Sequence, residues 1–233
     1  MQRKAIIIGA TGLVGQQLVK QLSALYDKII VIARRPPRYM NASMHYYQLN
    51  DFANLADTFA NLDLDYHTDA FSCLGTTQKQ AGSEEAFRQV DYNYNVDFAT
   101  LCFNKGVRQF FLLSALGAQV DSRIFYNRVK AETELAIEAI GFTNLTVFRP
   151  SLLLGKHKGR PLERLSQGVF RLISPIVPES VSVHPISAKR VAIAMAMTAH
   201  QLYEQAKFRS PRHTPKTTII ENKQMLAMTR VKS

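Results

Sequence analysis

Tyr126-Asn127-Arg128-Val129-Lys130 sets a phenol and an ammonium four residues apart. On a helix that spacing turns both toward one face. An ammonium beside a phenol favours the phenolate and draws the tyrosine pKa down from about 10, making the pair a usable acid/base near neutrality. The spacing alone is common: chance yields about half an occurrence in a chain of this composition, and a second copy stands at Tyr203 and Lys207. Order separates the two. Tyr126 lies twelve residues after Ser114, a hydroxyl at the expected carboxyl end of a strand, where parallel sheets place ligands. There it would hold a substrate carbonyl oxygen; a plain loop cap is the other reading of Ser114. Tyr203 lies beyond the alternating elements and is the structural counter-example.

A second group able to do chemistry is made of backbone. Ala5-Ile6-Ile7-Ile8 reads as a strand, Gly9, Gly12 and Gly15 follow at three-residue spacing, and a helical pattern runs from Leu13 to Leu25. Gly9 permits a tight turn, Gly12 a close approach of backbone to a pyrophosphate, and Gly15 close packing of helix on sheet. The free N–H groups and dipole at the helix amino end favour negative charge. Strand before and helix after is the context a dinucleotide site requires. The expected loop contacts are Gly9, Thr11, Gly12, Leu13, Val14 and Gly15.

The end of the second strand selects the cofactor. NAD sites normally place an acid there for the ribose 2′-hydroxyl, whereas arginine accommodates a 2′-phosphate. This chain has Ala33-Arg34-Arg35, with Arg38 nearby. A guanidinium binds phosphate bidentately and a carboxylate repels it, so the reading is NADP(H), with Arg34 and Arg35 as ligands. Two solvent-facing loop arginines are the bland alternative.

The elements that must position these groups alternate. Strands are expected at Lys28–Ala33, Met44–Leu49, Asp69–Leu74, Arg108–Leu113 and Thr143–Phe148. Helices are expected over Asn54–Leu62, from Glu84 to Asn104 with Gly106 as the stop, and from a Ser122 cap to Ile140 before Gly141. This is the pattern of a Rossmann-type, doubly wound parallel α/β sheet. The alternation breaks after Pro150. Residues 151–186 and 211–233, the latter holding a short strand at Thr217–Ile220, are expected to form a small C-terminal substrate lobe within a single 233-residue domain. A helix at Ala188–Ala199 lies between them.

The chain is 46% hydrophobic and 20% charged, the balance of a globular protein, and no apolar run reaches the ~18–20 residues of a membrane span. Cys73 and Cys102 lack metal-ligand spacing and read as buried reduced thiols. With the first residues read as a strand rather than a leader, a cytoplasmic location is expected. The net charge is +11, and from Gln201 onward seven basic residues face two acidic ones. Without a nucleic-acid motif, a solvated basic face is the better reading than a nucleic-acid partner.

Gly9–Gly15, Ser114, Tyr126-x-x-x-Lys130 and Phe148-Arg149-Pro150-Ser151, in this order, resemble the short-chain dehydrogenase/reductase superfamily in its atypical or extended branch. Ser72-Cys73-Leu74-Gly75-Thr76-Thr77, Ala81-Gly82 and Val90-Asp91 resemble the Tat-interacting-protein type of NADPH-binding oxidoreductase, over roughly residues 4–200. The resemblance implies a proton donor at Tyr126 and a ribose ligand at Lys130. It sets Asp51 and Phe52 beside the adenine, and Leu74, Gly75, Thr76, Thr77, Pro150 and Ser151 along the cofactor. It therefore implies an NADPH-dependent oxidoreductase, with a small carbonyl compound as substrate. The chain departs from the pattern twice: Asp91 stands where extended members often carry Asn, and Ala115 follows Ser114 where they often carry a second Ser. The alternatives are an NADPH-responsive regulatory protein with little turnover, and a sugar-nucleotide epimerase, which typically uses NAD.

Overall fold

A computed structural model describes residues 2–154, 183–207 and 214–230. Seven parallel strands form one sheet in the order β3-β2-β1-β4-β5-β6-β9. They are β1 (Lys4–Ile8), β2 (Lys28–Ala33), β3 (Met44–Gln48), β4 (Thr68–Ser72), β5 (Gln109–Leu113), β6 (Asn144–Arg149) and, last in the chain, β9 (Lys216–Glu221). Near-continuous apolar runs such as Ile6-Ile7-Ile8 suit strands covered on both faces. Alternate residues divide between two cores. Ile7, Val31, Phe71 and Phe111 pack with α1 (Gly15–Leu22) and α7 (Ala188–Lys207). Ile6, Ile8, Ile30 and Phe110 meet α2 (Leu55–Ala60), α5 (Tyr94–Asn104) and α6 (Phe125–Ile140) on the opposite side. Strand order reverses between β1 and β4, and the crevice at such a point is where ligands bind in these sheets.

Several elements differ from the sequence-based expectation. The segment at Thr217–Ile220 is not part of a separate lobe: it is the centre of β9, paired in parallel with β6, and is followed by α8 (Asn222–Met228). The lobe expected over 151–186 falls mostly outside the described residues; within them, β7 (Leu153–Leu154) pairs with β8 (Ile186–Ser187). A short helix, α3 (Gln78–Ala81), occupies the polar loop, with the Thr77 hydroxyl accepting from Gln80 N–H and Gly82 at φ +86° beyond it. The long helix is really α4 (Glu84–Arg88), a π-helical turn over Gln89–Asn93, and α5. Ser122 does not cap α6. The helix begins at Phe125 after Ile124, and the Ser122 hydroxyl accepts from Ile124 N–H in the preceding turn.

At the amino ends of the strands, Arg3 lies between two rings, its guanidinium carbon 4.1 Å from the Tyr26 centroid and 4.2 Å from that of Tyr203. It donates to Asp69 at 2.9 Å and to the Ala199 carbonyl at 2.9 Å, while the Tyr26 hydroxyl donates to Asp69 at 2.5 Å. Lys207 adds its ammonium at 4.6 Å from the Tyr203 ring centroid. Tyr203 and Lys207 are thus spent on structure, at the end of the sheet away from the glycine loop.

Candidate active site

The glycine loop is shaped by contacts that leave no room for a side chain. Gly9 has φ +74°, and a Cβ there would lie 2.3 Å from the Cys73 carbonyl carbon; one on Gly15 would lie 2.1 Å from the Gly9 carbonyl oxygen. The loops after β1 and β4 therefore touch backbone to backbone at the strand-order reversal. Beyond them α1 begins after Val14 without a side-chain cap, its first turn closed by Gln16 N–H donating to the Gly12 carbonyl at 3.1 Å and Gln17 N–H to the Val14 carbonyl at 2.9 Å, with the positive end of the helix dipole toward the loop.

Two cavities meet at Leu13. One, of about 700 Å³, is lined by Gly12, Leu13 and Val14, by Leu74 to Thr77, and by Asp91, Ser114, Tyr126, Lys130, Pro150 and Ser151. The other, of about 1020 Å³, is bordered by Thr11, Leu13 and Tyr39 and by four cationic side chains, Lys20, Arg35, Arg38 and Lys189. Two adjoining cavities, with the glycine loop between them and cations bordering one, fit an elongated dinucleotide phosphate. Arg34 is exposed and lines neither cavity. Asp51 and Phe52 line neither as well. Asp51 accepts from Ala53 N–H at 2.9 Å, and Phe52 is buried with its ring stacked 4.7 Å from Tyr94.

Tyr126 stands on the first turn of α6, its ring 5.6 Å from that of the buried Phe87. Lys130 follows one turn on, with Nζ 5.9 Å from the Tyr126 ring centroid. The ammonium is buried and makes a 2.7 Å ion pair with Asp91 Oδ1. Burial opposes the charge on Lys130, but the Asp91 carboxylate, then Tyr126 and Glu134, more than offset it and raise its pKa above the ordinary lysine range.

One more turn along the same face lies Glu134, which the sequence reading had passed over although Tyr126, Lys130 and Glu134 share one helical spacing. The buried Ser114 hydroxyl donates to Glu134, whose carboxylate is also held by Arg149 Nη2 at 2.5 Å and Nε at 3.1 Å. That carboxylate hydrogen bond raises the pKa of Arg149. Arg149 reaches Glu221 at 3.3 Å, so β6, α6 and the end of β9 are tied together beneath the cavity. Pro150 and Ser151 are set by the next residue: Ser151 N–H donates to Asn222 Oδ1 at 3.1 Å, and both the Ser151 hydroxyl and Asn222 Nδ2 donate to the His184 carbonyl.

Residues 5–177 match the NAD dependent epimerase/dehydratase family. The protein FMP52-1, mitochondrial, of Scheffersomyces stipitis is 30% identical over 205 residues, covering 86% of this chain and 90% of that protein. Protein HTATIP2 of Rattus norvegicus is 34% identical over 179 residues, covering 73% and 72% respectively. Among solved structures, MoeE5 in complex with UDP-glucose and NAD has a TM-score of 0.63 at 14% identity, covering 97% of this chain and 80% of that one, a likeness of fold. The expected cytoplasmic location is corrected by these relatives, since both FMP52 proteins of S. stipitis are named mitochondrial. Buried free cysteines such as Cys73 and Cys102 do not say which membrane encloses the chain.

Proposed function

The chain belongs to the NAD-dependent epimerase/dehydratase family, within the extended short-chain dehydrogenase/reductases its sequence resembles, and on that premise we propose that it is an NADPH-dependent carbonyl reductase. The observation that carries this reading is the company Tyr126 and Lys130 keep: they line one cavity with the glycine loop, whereas Tyr203 and Lys207 serve Arg3 at the other end of the sheet. The bound cofactor supplies the hydride. Tyr126 holds a proton at its hydroxyl and gives it to the carbonyl oxygen of a small substrate; Lys130 orients the nicotinamide ribose. Gly12 to Gly15 receive the pyrophosphate, Leu74 to Thr77 flank the cofactor, and Pro150 and Ser151 close the opposite wall. Arg35 and Arg38, rather than Arg34, take the 2′-phosphate.

One observation favours a second reading, an NADPH-binding regulatory protein with little turnover. The Ser114 hydroxyl is given to Glu134, and Ala115 offers no hydroxyl in its place. Turnover with a carbonyl panel, followed as NADPH oxidation, decides between the two. NADPH that binds but is oxidised with no carbonyl favours the regulator.

The cofactor choice has its own test. A charge-assisted phosphate contact is worth about 1.5–3 kcal/mol, so NADPH should bind roughly ten- to a hundredfold more tightly than NADH. By titration calorimetry, Arg35→Ala/Arg38→Ala should remove most of that preference and Arg34→Ala little of it. Equal wild-type affinities for the two cofactors would end the NADP reading.

A further inference from the structure

Asp91 is fully buried, and no feature of a reductase mechanism requires a carboxylate there. It sits in the middle of the π-helical turn over Gln89–Asn93, a distortion that frequently marks functional positions. The turn is held open by side chains. Asn95 Nδ2 donates to the Asp91 carbonyl at 3.0 Å and to the Val90 carbonyl at 3.1 Å, and the Thr133 hydroxyl, 2.7 Å from the Val129 carbonyl, lies 3.1 Å from the Asp91 carbonyl. Asn95 is itself tied to β4, through the Ser72 hydroxyl. The result aims the Asp91 carboxylate at the cavity wall. Oδ1 meets Lys130 Nζ at 2.7 Å and Oδ2 accepts from Thr76 N–H at 2.8 Å. Gly75 makes room, since a Cβ there would lie 3.1 Å from Asp91 Oδ1 and 3.5 Å from Lys130 Nζ.

Resting on the reductase reading, we propose that Asp91 is a positioning residue for the acid/base pair: its carboxylate holds Lys130 and offsets the charge that Lys130 presents to Tyr126. A lone ammonium would favour phenolate. An ammonium already paired with a buried carboxylate presents the ring with a dipole, whose field falls away much faster than that of a charge. Among the described residues, two neighbouring acids and their partners are matched, while Arg128, between Tyr126 and Lys130 in the chain, donates to the Ser122 and Arg123 carbonyls. Glu134, the further anion acting on Lys130, is bound by Arg149 and Ser114. Arg88, on α4, is paired with Glu132 of α6. The same carboxylate anchors the Thr76 amide, so the loop that flanks the cofactor and the proton donor are registered by one side chain.

Asp91→Asn tests this, because the amide oxygen still accepts from Thr76 N–H while the charge is gone. Ultraviolet difference titration of tyrosinate, with Tyr126→Phe in each background to subtract the other tyrosines, reads Tyr126 without any need for turnover. In Asp91→Asn, Tyr126 should ionise at a pH lower than in wild type by about one to two units. Asp91→Asn/Lys130→Met, which removes both charges, should return it to near the wild-type value. A merely structural role for Asp91 predicts no such reversal. If Asp91→Asn does not fold, Asp91→Ser keeps an acceptor near Thr76 and carries the same expectation. A Tyr126 titration that does not move in the folded single variant, or that moves equally in the double, overturns the proposal. The alkaline limb of the carbonyl-reduction profile should follow the titration. A titration that shifts as expected, in a protein that reduces no carbonyl, overturns the reductase reading and leaves the electrostatic role of Asp91 standing.

Discussion

Tyr126→Phe is expected to lower turnover in NADPH-dependent carbonyl reduction by about 10²–10⁴, the usual worth of a positioned general acid. The variant should still bind NADPH with near wild-type affinity, since it keeps the ring that packs on Phe87 and the expected phosphate contacts lie elsewhere along the cleft. The loss then falls on the chemical step. Tyr203→Phe is the matched control, having the same spacing to a lysine. Its ring lies against Arg3 at the amino ends of the strands, so turnover should change little. Steady-state kinetics over a carbonyl panel, with cofactor affinity measured alongside, checks both. Near-wild-type turnover in Tyr126→Phe would remove that residue from the mechanism.

The second large effect is on stability and leaves the cleft alone. Asp69→Ala should destabilise the fold by about 3–5 kcal/mol, the cost of leaving a buried charge without its partner. Arg3 and Asp69 are each 6% exposed in their side chains, and Asp69 also takes the Tyr26 hydroxyl. Burial pushes the carboxyl of Asp69 above its ordinary pKa, against the pull of Arg3, so the pair already carries a desolvation cost. Removing one member keeps the cost and loses the compensation. Denaturant unfolding should report the loss as a shift of midpoint with little change in slope. NADPH should bind the folded fraction as before, because the cluster and the glycine loop occupy opposite ends of β1. Reduced cofactor affinity in folded Asp69→Ala would show that the two ends are coupled.

The parts of this molecule legible in the sequence are those whose physical demands are local. Ile6-Ile7-Ile8 followed by Gly9, Gly12 and Gly15 states the first strand and the cradle outright, since only glycine tolerates the approaches to Cys73 and to the Gly9 carbonyl oxygen. The short helix after Thr77 carried a readable signal as well, a capping hydroxyl at one end and Gly82 at the other. Nonlocal partners were illegible. Thr217-Thr218-Ile219-Ile220 reads as a short strand, but nothing in it names β6 as its neighbour. Asp91 looks like one more residue of a long helix until the π-helical turn brings it against a lysine on another helix. The second strand end is visibly basic in the sequence, but which arginines border the cavity is not: Arg35 and Arg38 do, and the exposed Arg34 does not.

The position of β9 in the chain has a consequence for biogenesis. Most of the cavity lining around the glycine loop, from Gly12 to Lys130, leaves the ribosome well before Lys216. The wall formed by Ser151 is different: Ser151 is held by Asn222, and Arg149 by Glu221, residues at and just beyond the end of β9. Because domains fold as units, the sheet is complete only when β9 adds its last edge. A carboxyl-terminally clipped chain would keep the glycine loop and lose Asn222 and Glu221, the partners of Ser151 and Arg149, so an intact loop is a poor certificate of a finished molecule.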